Sequence, residues 1–204
     1  MTAAKVDVRK DLDSYRARSG RFRLLDVPPR RYLAVDGAGD PNTSPTFTAA
    51  IETLYPVAYG LKFASRDAGR DYVVPPLEGL WWADDIAAFT SARDKSRWHW
   101  RLLLLVPEWL GPDDVDAATA AAAAKGAGPR LADLHLEDLH EGRCVQTLHV
   151  GPFDDEAGVL RRLHCEFLPA HDLRPTGVHH EIYLSDVRRA APDRRRTILR
   201  QPVE

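Results

Sequence analysis

The order of segments constrains this chain more than any single motif, because a strand–strand–helix–strand–strand pattern runs through it twice. In the first pass, strands are predicted at Phe22 to Val27 and Arg31 to Asp36. A helix follows through Phe47, Ile51, Leu54, Tyr55, Ala58 and Leu61, spaced by three and four, and strands return at Leu77 to Ala83 and Arg97 to Val106. Pro28-Pro29 between the first two strands predicts a hairpin or a tight bend, and Ser44 or Thr46 can cap the helix. The second pass reads Leu134 to Leu139, Cys144 to Val150, a helix through Val159, Leu160, Leu163 and Phe167, then Gly177 to Ser185 and Thr197 to Pro202. Glycine, proline and aspartate follow the second strand each time, in Gly37-Ala38-Gly39-Asp40-Pro41 and in Gly151-Pro152-Phe153-Asp154. Between the passes, Pro112-Asp113-Asp114 opens a helix that runs through an alanine tract to Gly126, with acids at its positive end. A short amphipathic start spans Val8 to Tyr15.

A repeat of about one hundred residues marks an internal duplication, since solenoids need periods of roughly 20 to 50. Two such units predict an α+β fold: duplicated strand-helix-strand-strand modules forming an antiparallel sheet with helices on one side. The helix-free face is expected to form a ligand groove at the pseudo-twofold axis. Residues 1–204 are expected to form a single domain, with module one at about 20–107, module two at about 130–204 and a helical connection at about 112–128.

Hydrophobic residues make up 44% of the chain, enough for a core, and 28 basic and 30 acidic residues are intermixed at a net charge of -2. That balance gives no electrostatic case for direct nucleic-acid or membrane-surface binding. The basic cluster Arg188-Arg189 and Arg194-Arg195-Arg196 is interrupted by Asp193 and reads as a solvated edge. Cys144 and Cys165 form no Cys-x-x-Cys pair, which points to neither a disulfide framework nor a thiolate metal site and fits a reduced cytosol. Met1 to Asp13 lacks the apolar core of a signal peptide, and Leu102 to Val106 is too short to span a bilayer. A cytoplasmic, soluble protein is expected.

The chemistry concentrates in His179-His180-Glu181-Ile182-Tyr183-Leu184-Ser185-Asp186, a strand carrying a carboxylate through apolar surroundings. Period two puts Glu181 and Tyr183 on one face and His180, Ile182 and Leu184 on the other. A carboxylate beside a phenol suits binding of cationic or aromatic molecules, or general acid/base chemistry, if aromatic rings wall it in. Trp81, Trp82, Trp98 and Trp100 are available as walls. Consecutive Trp81 and Trp82 must face opposite ways, Trp98 and Trp100 share a face, and each ring has core packing as its alternative. Tyr55 and Tyr59 share one face of the first long helix. His179 shares the Glu181 face, but without a His-x-x-x-His pattern no metal is expected. Gly37-Ala38-Gly39 lacks the rest of a phosphate loop and Ser185 lacks a nucleophile elbow, so no cofactor is expected either.

Several segments in order resemble the GyrI-like small-molecule-binding proteins: Asp26-Val27-Pro28-Pro29, Gly39-Asp40-Pro41-Asn42, Leu54-Tyr55 to Leu61-Lys62-Phe63, Glu78-Gly79-Leu80-Trp81-Trp82, His149 to Asp155, His180 to Asp186, and Leu199 to Pro202. The resemblance implies two modules around a pseudo-twofold groove. In relatives fused to helix-turn-helix domains, an acidic residue in an aromatic cavity meets cationic ligands; no such appendage is expected in this chain. Stand-alone relatives include gyrase inhibitors and self-protection enzymes that hydrolyse the electrophilic cyclopropane of yatakemycin and duocarmycin type natural products, and the Trp81-Trp82 type resembles the latter. Carried over, Glu181 is the acidic residue, and Tyr55, Trp81, Trp82, Trp98, Trp100, Phe153 and Tyr183 are the aromatic lining. The implied activity is a cyclopropanoid cyclopropyl hydrolase in which Glu181 is the base for water and Tyr55 or Tyr183 orients that water or polarises a carbonyl, while the tryptophans hold an aromatic hydrophobic small molecule. Alternatives are a non-catalytic binder or sensor of hydrophobic cations, and a gyrase-modulating interaction protein.

Overall fold

The computed structural model describes residues 5–84, 94–186 and 189–204. Eight strands form one sheet: β1 (Arg23–Val27), β2 (Arg30–Ala38), β3 (Glu78–Trp82), β4 (His99–Leu105), β5 (His135–Leu139), β6 (Gly142–Val150), β7 (His179–Tyr183) and β8 (Arg196–Pro202). The helices are α1 (Val8–Asp11), α2 (Pro45–Asp67), α3 (Pro112–Ala124), α4 (Glu156–Arg162) and α5 (Leu168–Ala170), with a π-helical turn at Leu163–Phe167 joining the last two. Both passes of the sequence pattern are therefore realised.

The strand order is β1-β6-β8-β7-β3-β4-β2-β5, and every pairing is antiparallel. It reads alike from either end, so the pseudo-twofold axis falls between β3 and β7. Each module lends its first strand to the other, β1 pairing with β6 and β5 with β2. The hairpin expected at Pro28-Pro29 is thus corrected: β1 and β2 lie toward opposite ends of the sheet. Two consecutive prolines supply no ladder N–H and hold φ near one value, which carries the chain away instead of folding it back.

One sheet face carries the helices of both modules. Leu33 and Val35 of β2 with Leu102 and Leu104 of β4 pack under Leu54, Val57, Ala58 and Leu61 of α2, and Val115, Ala118 and Ala122 of α3 close the same cluster. In the second module, Val145 and Val203 meet Leu163, Leu168 and Leu173. The opposite face is not an open groove, contrary to expectation. Val8 and Tyr15 of the N-terminal segment close it over Tyr32, Leu80, Leu103, Leu105, Leu148, Ile182 and Ile198. Apolar side chains alternate on both faces of the central strands, so both needed a cover.

Beneath that cover lies an ionic network. His180 Nδ1 is 2.9 Å from Glu141 Oε1, and its Nε2 is 2.9 Å from Glu78 Oε2. The second contact lies off the N–H direction and is an ion pair rather than a directed hydrogen bond. Arg200 donates from Nη1 to Glu141 Oε2 at 2.6 Å, from Nε to Gln146 Oε1 at 3.1 Å and from Nη2 to the Ser14 carbonyl at 2.7 Å. The Tyr15 hydroxyl donates to Glu78 Oε1, and Gln146 Nε2 donates to the Arg16 carbonyl at 3.0 Å. The N-terminal segment is thereby tied to β3, β6 and β8. Charges buried this deeply persist only when paired and hydrogen-bonded.

Burial alone would lower the His180 pKa, but the charge and hydrogen bond of Glu141 and the ion pair with Glu78 raise it to about 9. For Glu141, burial pushes upward, while His180 and Arg200 hold it down at about 2. The His180 contribution is complete below 6.5, its ordinary value, and is lost as pH rises through about 9. The Glu141 contribution is complete above 4.5 and is lost as pH falls through about 2. Urea unfolding at stepped pH should therefore give its highest midpoint between 4.5 and 6.5. His180→Asn should remove much of the alkaline decline; an identical alkaline limb in that variant would contradict this account of the network.

Candidate functional site

Strand β7 aims His179, Glu181 and Tyr183 at the helix-bearing face, over the seam between the modules. In the β3–β7 register, Gly79 stands opposite Glu181. A Cβ at Gly79 would lie 2.9 Å from Trp81 Nε1 and 3.0 Å from the Tyr183 hydroxyl. The missing side chain leaves room for a hydrogen-bonded chain: Trp81 Nε1 donates to the Tyr183 hydroxyl at 3.0 Å, and that hydroxyl donates to Glu181 Oε2 at 2.9 Å. The second carboxylate oxygen, Oε1, lies 3.5 Å from His179 Nε2, and the Glu181 and His179 side chains are only 14% and 15% exposed.

Tyr183 keeps its proton at neutral pH. Burial, then the charge and hydrogen bond of Glu181, and then the charge of Glu156 push its phenol well above the ordinary tyrosine value. Glu156 begins α4 and is buried, so two carboxylates bear on one phenol. His164 of the π-helical turn is lowered by burial and then by the neighbouring His179. Glu156 and the space left at Gly79 were not singled out from sequence. The Glu156 acid sits in the run Asp154-Asp155-Glu156, which reads as ordinary acidic enrichment at a helix start.

The aromatic residues divide into four groups. Phe153 meets Tyr183 edge-on at 5.7 Å, Trp98 meets Trp81 edge-on at 5.8 Å, and Phe47 stacks on Trp81 at 6.0 Å. These rings surround the Trp81–Tyr183–Glu181 chain. Lys95 Nζ lies 5.8 Å from the Trp98 ring centroid and 3.1 Å from Asp154, linking the turns of the two modules. Trp100, on the same sheet face, is 0% exposed: Phe47 meets it edge-on at 5.0 Å, and its six-membered ring would lie 2.1 Å from a Cβ on Gly37. It is a core residue. Trp82 points to the opposite face and stacks on His99 at 5.8 Å.

Tyr55 and Tyr59 stack on each other at 6.3 Å on α2, and Tyr59 meets Phe63 in a tilted pair at 6.0 Å. With Ile51, Glu52 and Pro56 the two tyrosines line a cleft of about 360 Å³. The phenol bonded to Glu181 is therefore Tyr183, while Tyr55 belongs to an aromatic ladder along the helix. Of the basic cluster, Arg189, Arg194 and Arg196 are exposed and Arg195 Cζ lies 5.4 Å over Phe153, while Arg188 is outside the described residues. Cys144 and Cys165 are both free. Among the described residues, no helix is long and apolar enough to cross a membrane.

The burial difference between the tryptophans has a measurable consequence. Trp100→Ala should lower folding stability by about 3 to 5 kcal/mol through the cavity it leaves. Trp98→Ala, removing a half-buried ring, should cost less than half as much. Urea denaturation of both variants checks this, and equal losses would contradict the placement of Trp100 in the core and Trp98 at the seam.

The GyrI-like small molecule binding domain matches residues 107–203 of the chain. Among solved structures, an uncharacterized conserved protein from Listeria innocua is 35% identical, with a TM-score of 0.87 over 98% of this chain and 100% of that one. Two structures described as hydrolases from Listeria innocua are 33% and 34% identical, with TM-scores of 0.86 and 0.83 and the same coverage. The EcmrR C-terminal domain, at 12% identity and a TM-score of 0.57 over 90% of this chain and 97% of its own, shares the fold alone. No curated protein matches the chain.

Proposed function

The chain belongs to the GyrI-like small-molecule-binding family, and from that premise we propose that it hydrolyses the electrophilic cyclopropane of DNA-alkylating natural products of the yatakemycin and duocarmycin type, protecting the cell. The observation that carries the reading is the Trp81–Tyr183–Glu181 hydrogen-bonded chain at the floor of an aromatic seam. Two relatives described as hydrolases support an enzymatic role.

Such a substrate is electrophilic because its strained ring is conjugated with a dienone carbonyl. Water adds to the cyclopropane methylene, a ring C–C bond breaks, and its electron pair flows to the carbonyl oxygen as a phenolate. Glu181 supplies the negative charge that drives loss of the water proton. Tyr183 fixes one carboxylate oxygen, and Trp81 fixes Tyr183, so the carboxylate is positioned before substrate arrives. Phe153 and Trp98, packed on Tyr183 and the buried Trp81, offer apolar surface to flat rings, and the Tyr55–Tyr59 cleft on α2 offers a second aromatic surface.

Incubating the pure protein with a cyclopropyl antibiotic and following the mass should show gain of one water. Glu181→Gln should retain the fold and most of the affinity while losing about two or more orders of magnitude in turnover. Wild-type turnover in that variant would exclude Glu181 from the chemistry.

A second reading, a non-catalytic binder of hydrophobic cations, is favoured by one observation: the charges of Glu181 and Glu156 both bear on Tyr183. It predicts no product, and a far larger loss of affinity for cationic than for neutral planar ligands in Glu181→Gln. Tryptophan-fluorescence titration with a matched pair of such ligands separates the two readings.

A further inference from the structure

We propose that His179 and Glu181 form an imidazole–carboxylate dyad in which the His179 ring takes the proton from the attacking water, and Glu181 orients the ring and balances its charge. The inference rests on the hydrolytic reading above and deepens it by naming the atom that receives the proton.

Three observations carry it. Both ring nitrogens of His179 are shielded from bulk solvent, yet neither has a hydrogen-bond partner in the protein. Buried polar nitrogens are met by something, and in a site formed for small molecules the natural partners are an enclosed water or the ligand. Next, Glu181 is already committed at Oε2 to Tyr183, and its other oxygen faces His179 Nε2 at 3.5 Å. That separation is longer than an ordinary hydrogen bond, and closing it by about half an ångström gives one, the kind of tightening common when a site fills. Finally, His179 is fixed on a central strand, opposite Trp81 in the β3–β7 register. The ring thus shares a rigid frame with the rest of the chain.

A carboxylate that accepts a phenol hydrogen bond is a weakened base, whereas imidazole as a side-chain class exchanges protons near neutral pH. In the step proposed, Nε2–H of His179 donates to Glu181 Oε1 and Nδ1 accepts the water proton. The water oxygen bonds to the cyclopropane methylene, the ring C–C bond breaks, and the electron pair ends on the former carbonyl oxygen. Transfer of the imidazolium proton to that phenolate restores the ring, so product equals substrate plus water. Glu181 Oε1 faces His179 on β7, and His164 of the π-helical turn is coupled to His179, being held toward neutrality by burial and by that ring.

Two measurements test the dyad. In ¹⁵N imidazole NMR, the ring of His179 should carry its proton on Nε2, held there by Glu181 Oε1, and Glu181→Ala should shift the ring toward the other tautomer; an unchanged tautomer ratio overturns the dyad. In turnover of a cyclopropyl antibiotic, His179→Gln should lose about 100-fold or more in kcat with KM within about threefold. Retained kcat overturns the assignment of the proton to His179. If the unaltered protein gives no product, the hydrolytic reading fails and with it the catalytic step, whereas an unchanged tautomer ratio in a protein that does turn over defeats the dyad alone.

Discussion

Pairing of β3 with β7 is the constraint on which the rest of the structure depends. A strand exposes alternate residues to opposite faces, so a slip of one residue would turn Glu181 into the N-terminal cover and bring His180 into the seam. The register is held from both sides. Underneath, His180 meets Glu78 across the two strands; above, Gly79 leaves the space through which Trp81 reaches Tyr183. Either slip direction would bury unpaired charge and drive a side chain into the hydrogen-bonded chain.

The same pairing explains why a short N-terminal segment matters to a site on the other face. Tyr15, Ser14 and Arg16 complete the polar network of Glu78, Glu141, Gln146 and Arg200. Removing one partner from such a network leaves an uncompensated buried charge, which typically costs about 3 to 5 kcal/mol. The backbone of β7 that carries His180 downward also carries His179 and Glu181 upward. A rigid underside therefore becomes orientational precision in the seam, the condition a positioned base requires.

Much of this was legible in the sequence because it depends on local periodicity. The alternation in 179–183 correctly separates Glu181 and Tyr183 from His180 and Ile182, and the spacing of Leu54, Ala58 and Leu61 gives the buried side of α2. What stayed hidden depends on partners distant in the chain. Pro28-Pro29 looks like a hairpin turn until β6 and β5 claim the edges of β1 and β2. The face expected to be open is closed by residues near Val8 and Tyr15, whose destination their own pattern does not specify. Trp98 and Trp100 have the same parity, and only the bare backbone of Gly37, two strands away in sequence but adjacent in the sheet, sends Trp100 into the core. Glu156 was masked among neighbouring helix-start acids, although its burial distinguishes it from exposed Asp154 and Asp155.

The seam is the central claim, and a structure with the ring-opened product of a cyclopropyl substrate bound tests it most directly. The new hydroxyl should lie within about 3 Å of His179 or Glu181, with the flat rings against Trp81, Trp98 and Phe153 and extending toward Tyr55 and Tyr59. Product seated instead in the separate cleft formed by Phe22, Arg162, Glu166, Phe167 and His171, leaving the Trp81–Tyr183–Glu181 chain untouched, would contradict the account.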